Sequence, residues 1–309
     1  MDNEPAHNHP GEELAAGSMS VVPVGLDDGY AYTKVALLDG RLFCVPSRAR
    51  MGASGVTWIR YQEQRIFEYE TGGTVYSAGA VDGEPTQFDE YPGSALNRVI
   101  VQHALQNAGL SGRSVHLVTG MPVAAFYRND GQRRLKAIDR KRDTLKLTVE
   151  PLSNNRNSNK RPLKTSIAFH EVIPEALAAW YDHVIVMQDD GVTLDADRLN
   201  APIAIIDIGG RTTDYVVVQD QGIIHGSSGS LSSGMLNVKT RVSDGIQAQF
   251  DLTELGEQRI AMAVDSHRLR VHGKDHDISA LVAAAKRELV ELLYAETRRK
   301  LGLGAELDR

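Results

Sequence analysis

The chain has 309 residues, a formal net charge of −6 and a single cysteine. That length exceeds what one hydrophobic core normally fills, so two domains are expected. The acidic balance argues against broad attraction to nucleic acid, the lone Cys44 excludes an intrachain disulfide framework, and no apolar run approaches the roughly 18 residues that span a bilayer. A cytoplasmic protein is expected, without membrane attachment or direct nucleic-acid binding. Cys44, inside Leu42-Phe43-Cys44-Val45, reads as a small core residue.

Residues 1–19 are polar and Gly/Pro-bearing and read as a disordered tail, with Met19 as a second candidate start. Val21–Leu26, Lys34–Leu38 and Arg41–Val45 form a meander of strands. Residues 48–91 read as an inserted β-rich lobe, its glycines marking turns between short strands such as Thr57-Trp58-Ile59 and Thr74-Val75-Tyr76. Apolar residues at helical spacing predict a helix over Ala95–Ala108, ended by Gly109, and Ser114–Val118 is the next buried strand. Ala124–Arg142 reads as a basic helix, a pattern that usually marks a solvated face. Leu145–Val149 is then a strand, Ser153–Pro162 a flexible basic loop, and Thr165–Phe169 leads into a helix opened by Pro174-Glu175. Met187–Asn200 reads as a surface connection. A final amphipathic helix, about Ile278–Leu301, carries Leu281, Val282, Leu289, Leu292 and Leu293 as its buried stripe.

Two segments stand out from this pattern. Gly25-Leu26-Asp27-Asp28-Gly29 and, about 180 residues later, Ile205-Ile206-Asp207-Ile208-Gly209-Gly210 each run an apolar strand into an acidic residue and a glycine turn. A second apolar strand follows each, Val35-Ala36-Leu37-Leu38 and Tyr215-Val216-Val217-Val218. One such hairpin is an ordinary Asp-Gly turn. Two at matching positions in two half-chains suggest a clamp, because glycine lets the backbone approach phosphate oxygens closely and an Asp at the turn mouth can hold a hydrated Mg²⁺.

Asp27-Asp28-Gly29 with Lys34 seven residues beyond Asp27, together with Asp207-Ile208-Gly209-Gly210-Arg211-Thr212-Thr213-Asp214, resembles the paired phosphate motifs of the actin-like ATPases, and most closely the ParM/StbA plasmid-segregation branch. Leu117-Val118-Thr119-Gly120-Met121-Pro122-Val123, Val172-Ile173-Pro174-Glu175-Ala176 and Gly229-Ser230-Leu231-Ser232-Ser233-Gly234-Met235 resemble further segments of that family, and the likeness spans roughly residues 21–302. It implies an α/β, actin-like fold of two duplicated ribonuclease-H-like domains with a nucleotide cleft between them. Domain I would cover 20–142 and domain II 143–309, with a subdomain insertion over 235–275. The family's pattern would place ATP or GTP against Asp27, Asp28, Gly29, Tyr30, Ala31, Lys34, Gly209, Gly210, Arg211, Thr212, Gly229, Ser230 and Gly234. It would place Mg²⁺ against Asp27 and Asp207, and make Glu175 and Asp207 catalytic, Glu175 by polarising the attacking water.

Two departures accompany the resemblance. The strand and Gly-rich turn of the adenosine motif, expected after the last helix, are not in the sequence, which would leave a sheet edge in domain II unpaired. Tyr30-Ala31 stand where relatives commonly carry small hydroxyl residues. The implied function is a nucleotide-dependent filament that separates plasmid copies, with other copies of itself and a DNA-bound adaptor of the ParR type as partners. The alternatives are a scaffold homologue without efficient hydrolysis and a sugar-kinase-like phosphotransferase. The second would need a substrate-binding Asp in the cleft, and the sequence offers no clear candidate for one.

Overall fold

A computed structural model of the chain describes residues 20–56, 59, 65–152, 162–188, 191–302 and 307. The expected tail, the Thr57-Trp58 strand and nearly all of the Ser153–Pro162 loop fall outside these residues. The first half contains β1 (Val22–Asp28), β2 (Tyr32–Leu37), β3 (Leu42–Pro46), β4 (Ala49–Met51), β5 (Ile66–Thr71), β6 (Thr74–Gly79), α1 (Ala95–Asn107), β7 (Ser114–Met121), α2 (Val123–Phe126), α3 (Leu135–Lys146), β8 (Glu150–Leu152) and β9 (Ser166–Pro174). The second contains α4 (Glu175–Val184), β10 (Ile185–Gln188), β11 (Gly191–Leu194), α5 (Ala196–Asn200), β12 (Ile203–Ile208), β13 (Thr213–Gln219), β14 (Gly222–Ile223), β15 (Gly229–Leu231), α6 (Met235–Phe250), α7 (Glu257–Ser266), β16 (Arg268–Val271), β17 (Lys274–Asp277) and α8 (Ser279–Leu301).

The first sheet has the order β3-β2-β1-β7-β9. β1, β2 and β3 form an antiparallel meander, and β7 and β9 run parallel to β1. Alternating apolar residues of these strands pack against α1 in one core that includes Val24, Leu26, Val35, Leu105 and Leu117. α1 is well specified: the Ser94 hydroxyl accepts from the Asn97 amide, and Gly109 takes a positive φ just past the end. The second sheet repeats the meander as β12-β13-β14, with β15 also on β13. α4 covers it, burying Trp180 and Val184 against Ile203, Val216 and Val218. α6, α7, the β16–β17 hairpin and α8 build a separate core, in which α6 and α8 approach so closely at Gly245 that a side chain there would meet Leu281.

Several expectations change. β9 belongs to the first sheet, pairing with β7 from Ser114↔Ser166 to Met121↔Pro174, although it lies beyond residue 142. The small lobe is the sheet β4-β6-β5-β8, and its last strand comes from 150–152, outside the 48–91 insertion. The basic helix is broken because Asn129-Asp130-Gly131 makes a turn, with Gly131 at φ +80 and Asp130 Oδ1 accepting from the Gln132 amide. α3 then runs through Leu145, which is buried as a helical residue and not as part of a strand. The 187–200 connection contains a hairpin and a short helix capped by Asp195. On α8, Leu292 is 46% exposed while Ala285 joins the buried stripe.

β12 pairs only with β13 among the described residues, and Ile206 and Ile208 on it stand 43% and 47% exposed. Cys44 is exposed, not core: Phe43 and Val45 turn inward, so strand alternation points the thiol between them outward. We expect the folded chain to react with one equivalent of an aromatic disulfide reagent at close to the rate of the denatured chain. A slow reaction accelerated by denaturant would place Cys44 in the core.

Candidate functional site

The two acidic hairpins meet tip to tip. A Cβ on Gly210 would lie 3.0 Å from the Ala31 amide nitrogen, so the second turn reaches the first only because residue 210 has no side chain. A cavity of about 270 Å³ opens beside this contact, lined by Asp27, Asp28, Gly29, Tyr30, Ala31, Lys34, Glu175, Asp207, Gly209, Gly210 and Thr212. The cleft therefore gathers most of the residues singled out in the sequence. Asp27, Lys34, Glu175 and Asp207 also line an adjoining cavity of about 530 Å³ that extends over β3, where Phe43 and Cys44 form part of its wall.

Lys34 Nζ donates to Asp27 Oδ2 at 2.9 Å across the first hairpin. That hydrogen bond raises the Lys34 pKa, and the charge of Asp207 adds to the effect. Burial and then the charge of Asp27 push the Asp207 carboxyl up, with Lys34 partly offsetting them. Two carboxylates from two strands thus face one space. Among the described residues no cluster of three or more His, Cys, Asp or Glu forms a metal cage. This donor set fits Mg²⁺, which keeps most of its waters and needs only one or two carboxylates, better than it fits a dehydrated ion.

Glu175 opens α4 where β9 ends, and it packs flat on Gly120 at the end of β7. A Cβ on Gly120 would overlap the Glu175 side chain. Burial drives its pKa up to about 8; the Lys141 ammonium acts against this, and Asp214, Asp27 and Asp28 add to it. Asp214, 1% exposed, accepts from the Val123 amide at 3.3 Å and from the Ser230 hydroxyl, and burial raises it to about 6. It ties the second hairpin to the segment that follows β7.

Other residues take different roles from those the resemblance implies. The Asp28 carboxylate is occupied by Lys141 Nζ at 2.8 Å and Asn97 Nδ2 at 3.0 Å, leaving only its backbone for a ligand. Losing one partner of such a buried ion pair costs about 3–5 kcal/mol. Arg211 turns away from the cavity, its guanidinium 5.5 Å from the Tyr30 ring centroid and 2.5 Å from Asp89 Oδ1 of the segment that follows the small lobe. Gly229 and Ser230 are paired in β15 and do not line the cavity; the Ser230 hydroxyl accepts from Ala124 and donates to Asp214. Gly209 donates its N–H to Thr212 O within its own turn.

Gly234 is a docking point. Its Cβ would sit 2.5 Å and 2.6 Å from the carbonyl oxygens of Gly209 and Gly210, which accept from the first amides of α6, Met235 and Leu236. Gly234 itself donates to Asn237 Oδ1. The start of α6 therefore spends its donors on the hairpin, not on a phosphate. Residues missed in the sequence also line the cleft: Lys141, Met235, Lys239, Val264 and Asp265. Lys239 Nζ lies 5.5 Å from the Tyr32 ring centroid, and burial lowers its pKa. Its place near the start of α6, just after Gly234, is the signal that could have found it. At the mouth, Arg48 reaches Glu257 at 3.5 Å, so the small lobe contacts α7 across the opening.

A family model for the N-terminal part of the plasmid segregation protein ParM matches residues 24–184, just over half of the chain. The chain belongs to the ParM/StbA family. A model for the C-terminal part of the archaeal actin homologue MreB-like matches residues 205–309. Among solved structures, a ParM in a 15-stranded filament from Clostridium botulinum aligns with a TM-score of 0.68 at 17% identity, covering 94% of this chain and 87% of that one. The archaeal actin homologue Ta0583 in complex with ADP aligns at 0.66 and 20% identity, covering 92% and 83%. Bacillus thuringiensis ParM with AMPPNP aligns at 0.59 and 12% identity, covering 91% and 84%. Likeness at these identities establishes the actin-like fold of this ParM-family chain. No curated protein sequence matches it significantly.

The buried acid at position 175 has a measurable consequence. A carboxyl whose pKa moves from 4.5 to about 8 on folding holds its proton more tightly in the folded state, so its contribution to stability declines as pH rises across that window. We expect Glu175→Gln to gain on the wild type in thermal unfolding between pH 5 and pH 8.5, by at least the 2–4 °C that about 1 kcal/mol is worth in a domain of this size. A difference independent of pH would show that Glu175 is ionised in the folded chain throughout.

Proposed function

We propose that this ParM-family chain is an ATPase whose nucleotide state controls its assembly into filaments, in the service of plasmid segregation. The observation that carries the reading is the shared cleft: Asp27 with Lys34 from one hairpin and Asp207 from its duplicate line the same space as a buried glutamate. The ADP and AMPPNP complexes of Ta0583 and Bacillus thuringiensis ParM support a nucleotide as the ligand, and the Clostridium botulinum filament supports self-association. A DNA-bound adaptor of the ParR type would link filament to plasmid, and a cytoplasmic location follows from that role. No helix among the described residues is long and apolar enough to cross a membrane.

Phosphoryl transfer to water demands positioning and charge stabilisation more than covalent help. Backbone N–H groups of the two turns, at Tyr30, Ala31 and Gly210 to Thr212, would hold the phosphates, with Lys34 as a mobile point charge between them and Asp27. Mg²⁺, held through its waters by Asp27 and Asp207, would supply charge neutralisation on the phosphate oxygens. Glu175 is suited to take a proton from water because its pKa of about 8 lies near the operating pH, the condition for an effective general base. The base form must be ionised, so kcat/KM should rise with pH up to about 8 and then level.

Two variants separate the roles. Asp207→Ala should lose nucleotide turnover while keeping its circular dichroism spectrum, since the residue sits at a turn mouth. Glu175→Ala should still bind nucleotide and still scatter light on assembly, with hydrolysis slower by the 10²–10⁴ typical of a lost general base and filaments that persist. Wild-type turnover in either variant, measured as phosphate release, would remove that residue from the mechanism.

A further inference from the structure

Lys141 is the only lysine or arginine among the described residues that is buried, at 4% exposure. It comes from α3, whose other basic residues are solvated or half-buried, and it crosses the seam to two acceptors. Its ammonium donates to Asp28 Oδ1 at 2.8 Å and to the carbonyl oxygen of Gly120. Gly120 is also the residue on which Glu175 packs, so the first phosphate hairpin, the end of β7 and the glutamate meet around one cation. We propose that Lys141 is a positioning residue for Glu175: it fixes the first hairpin against the end of β7 on which the glutamate packs, and it supplies the buried positive charge that balances that carboxylate. The inference deepens the ATPase reading and rests on it for its catalytic meaning.

The charge balance around Glu175 is otherwise negative. Asp27 and Asp28 face it from β1, Asp214 from β13 and the Tyr30 hydroxyl from the first turn. Asp207 of β12 and Lys34 of β2 line the same cavity, and Lys34 is held by Asp27. Lys141 is thus the cation that a glutamate in this position needs in order to ionise near neutral pH. Its contacts are a carboxylate and a carbonyl of the protein, so it acts through Glu175 and Asp28, not through the phosphates.

The test uses the full chain with ¹³C-labelled glutamate and follows the Glu175 carboxyl by NMR, without nucleotide. Lys141→Met should move its titration midpoint up by about one unit, the low end of what an adjacent opposite charge is worth. Asp28→Asn should move it down, because the same ammonium is then less neutralised. The double variant Asp28→Asn/Lys141→Met, which removes the pair together and avoids a stranded charge, should move it up by less than Lys141→Met alone. If the single lysine variant does not fold, the other two decide. A purely structural lysine would leave the midpoint in place or shift it in the same direction in every variant, and either result overturns the inference. In turnover assays of the lysine-lacking variant that folds, kcat should fall at least tenfold with KM for nucleotide within twofold. A raised KM at unchanged kcat would make Lys141 a phosphate ligand instead. Absence of turnover in the wild type would end the ATPase reading and leave the titration result standing on its own.

Discussion

The cleft depends on backbone meeting backbone. Gly210 touches Ala31 across the two domains, Gly234 seats the start of α6 on the carbonyls of the second turn, and Gly120 lets Glu175 lie against β7. At each of these positions a methyl group would force apart elements that carry the candidate chemistry. None of the three has a positive φ. Their requirement is room, not backbone freedom, and it holds the two turns and the start of α6 in direct backbone contact.

Electrostatics follows from that closeness. Tight approach removes water, and desolvation is the largest influence on Glu175, Asp207 and Asp214, raising all three. The chain places compensating groups sparingly: Lys34 on Asp27 in the open part of the cleft, Lys141 on Asp28 in the closed part, and hydroxyl and amide donors on Asp214. The outcome is a contrast between the partly exposed Asp27 in the open part of the cleft and the buried Glu175 and Asp214 in its wall, whose pKa values burial raises.

Much of this was legible in the sequence. The hairpins were, because Asp-Gly turn chemistry and the apolar strands beside it are local signals that tertiary structure had no reason to override. The family resemblance located Glu175 in the cleft. What escaped was non-local. Ser166–Pro174 carries an irregular pattern of burial because β9 is an edge strand, so nothing in its residues announced that it closes the first sheet. The run Leu42-Phe43-Cys44-Val45 hid its alternation behind uniformly apolar residues. Lys141 sat in a basic run that reads as a solvated face, and only the rotation of α3 over Gly120 turns one of those lysines inward. Gly229 and Gly234 look alike as turn glycines, yet one is a strand residue and the other a docking point, a difference set by what lies opposite.

The pairs at the mouth of the cleft carry a consequence of their own. Arg48–Glu257 and Arg211–Asp89 join the small lobe and its flank to the second domain, and in each the acidic partner is more exposed than the arginine. Ion pairs reaching into solvent are worth about 0–1 kcal/mol and weaken further with salt. Contacts between the small lobe and the second half of the chain should therefore weaken as ionic strength rises, whereas the glycine-mediated approach of the two turns should not.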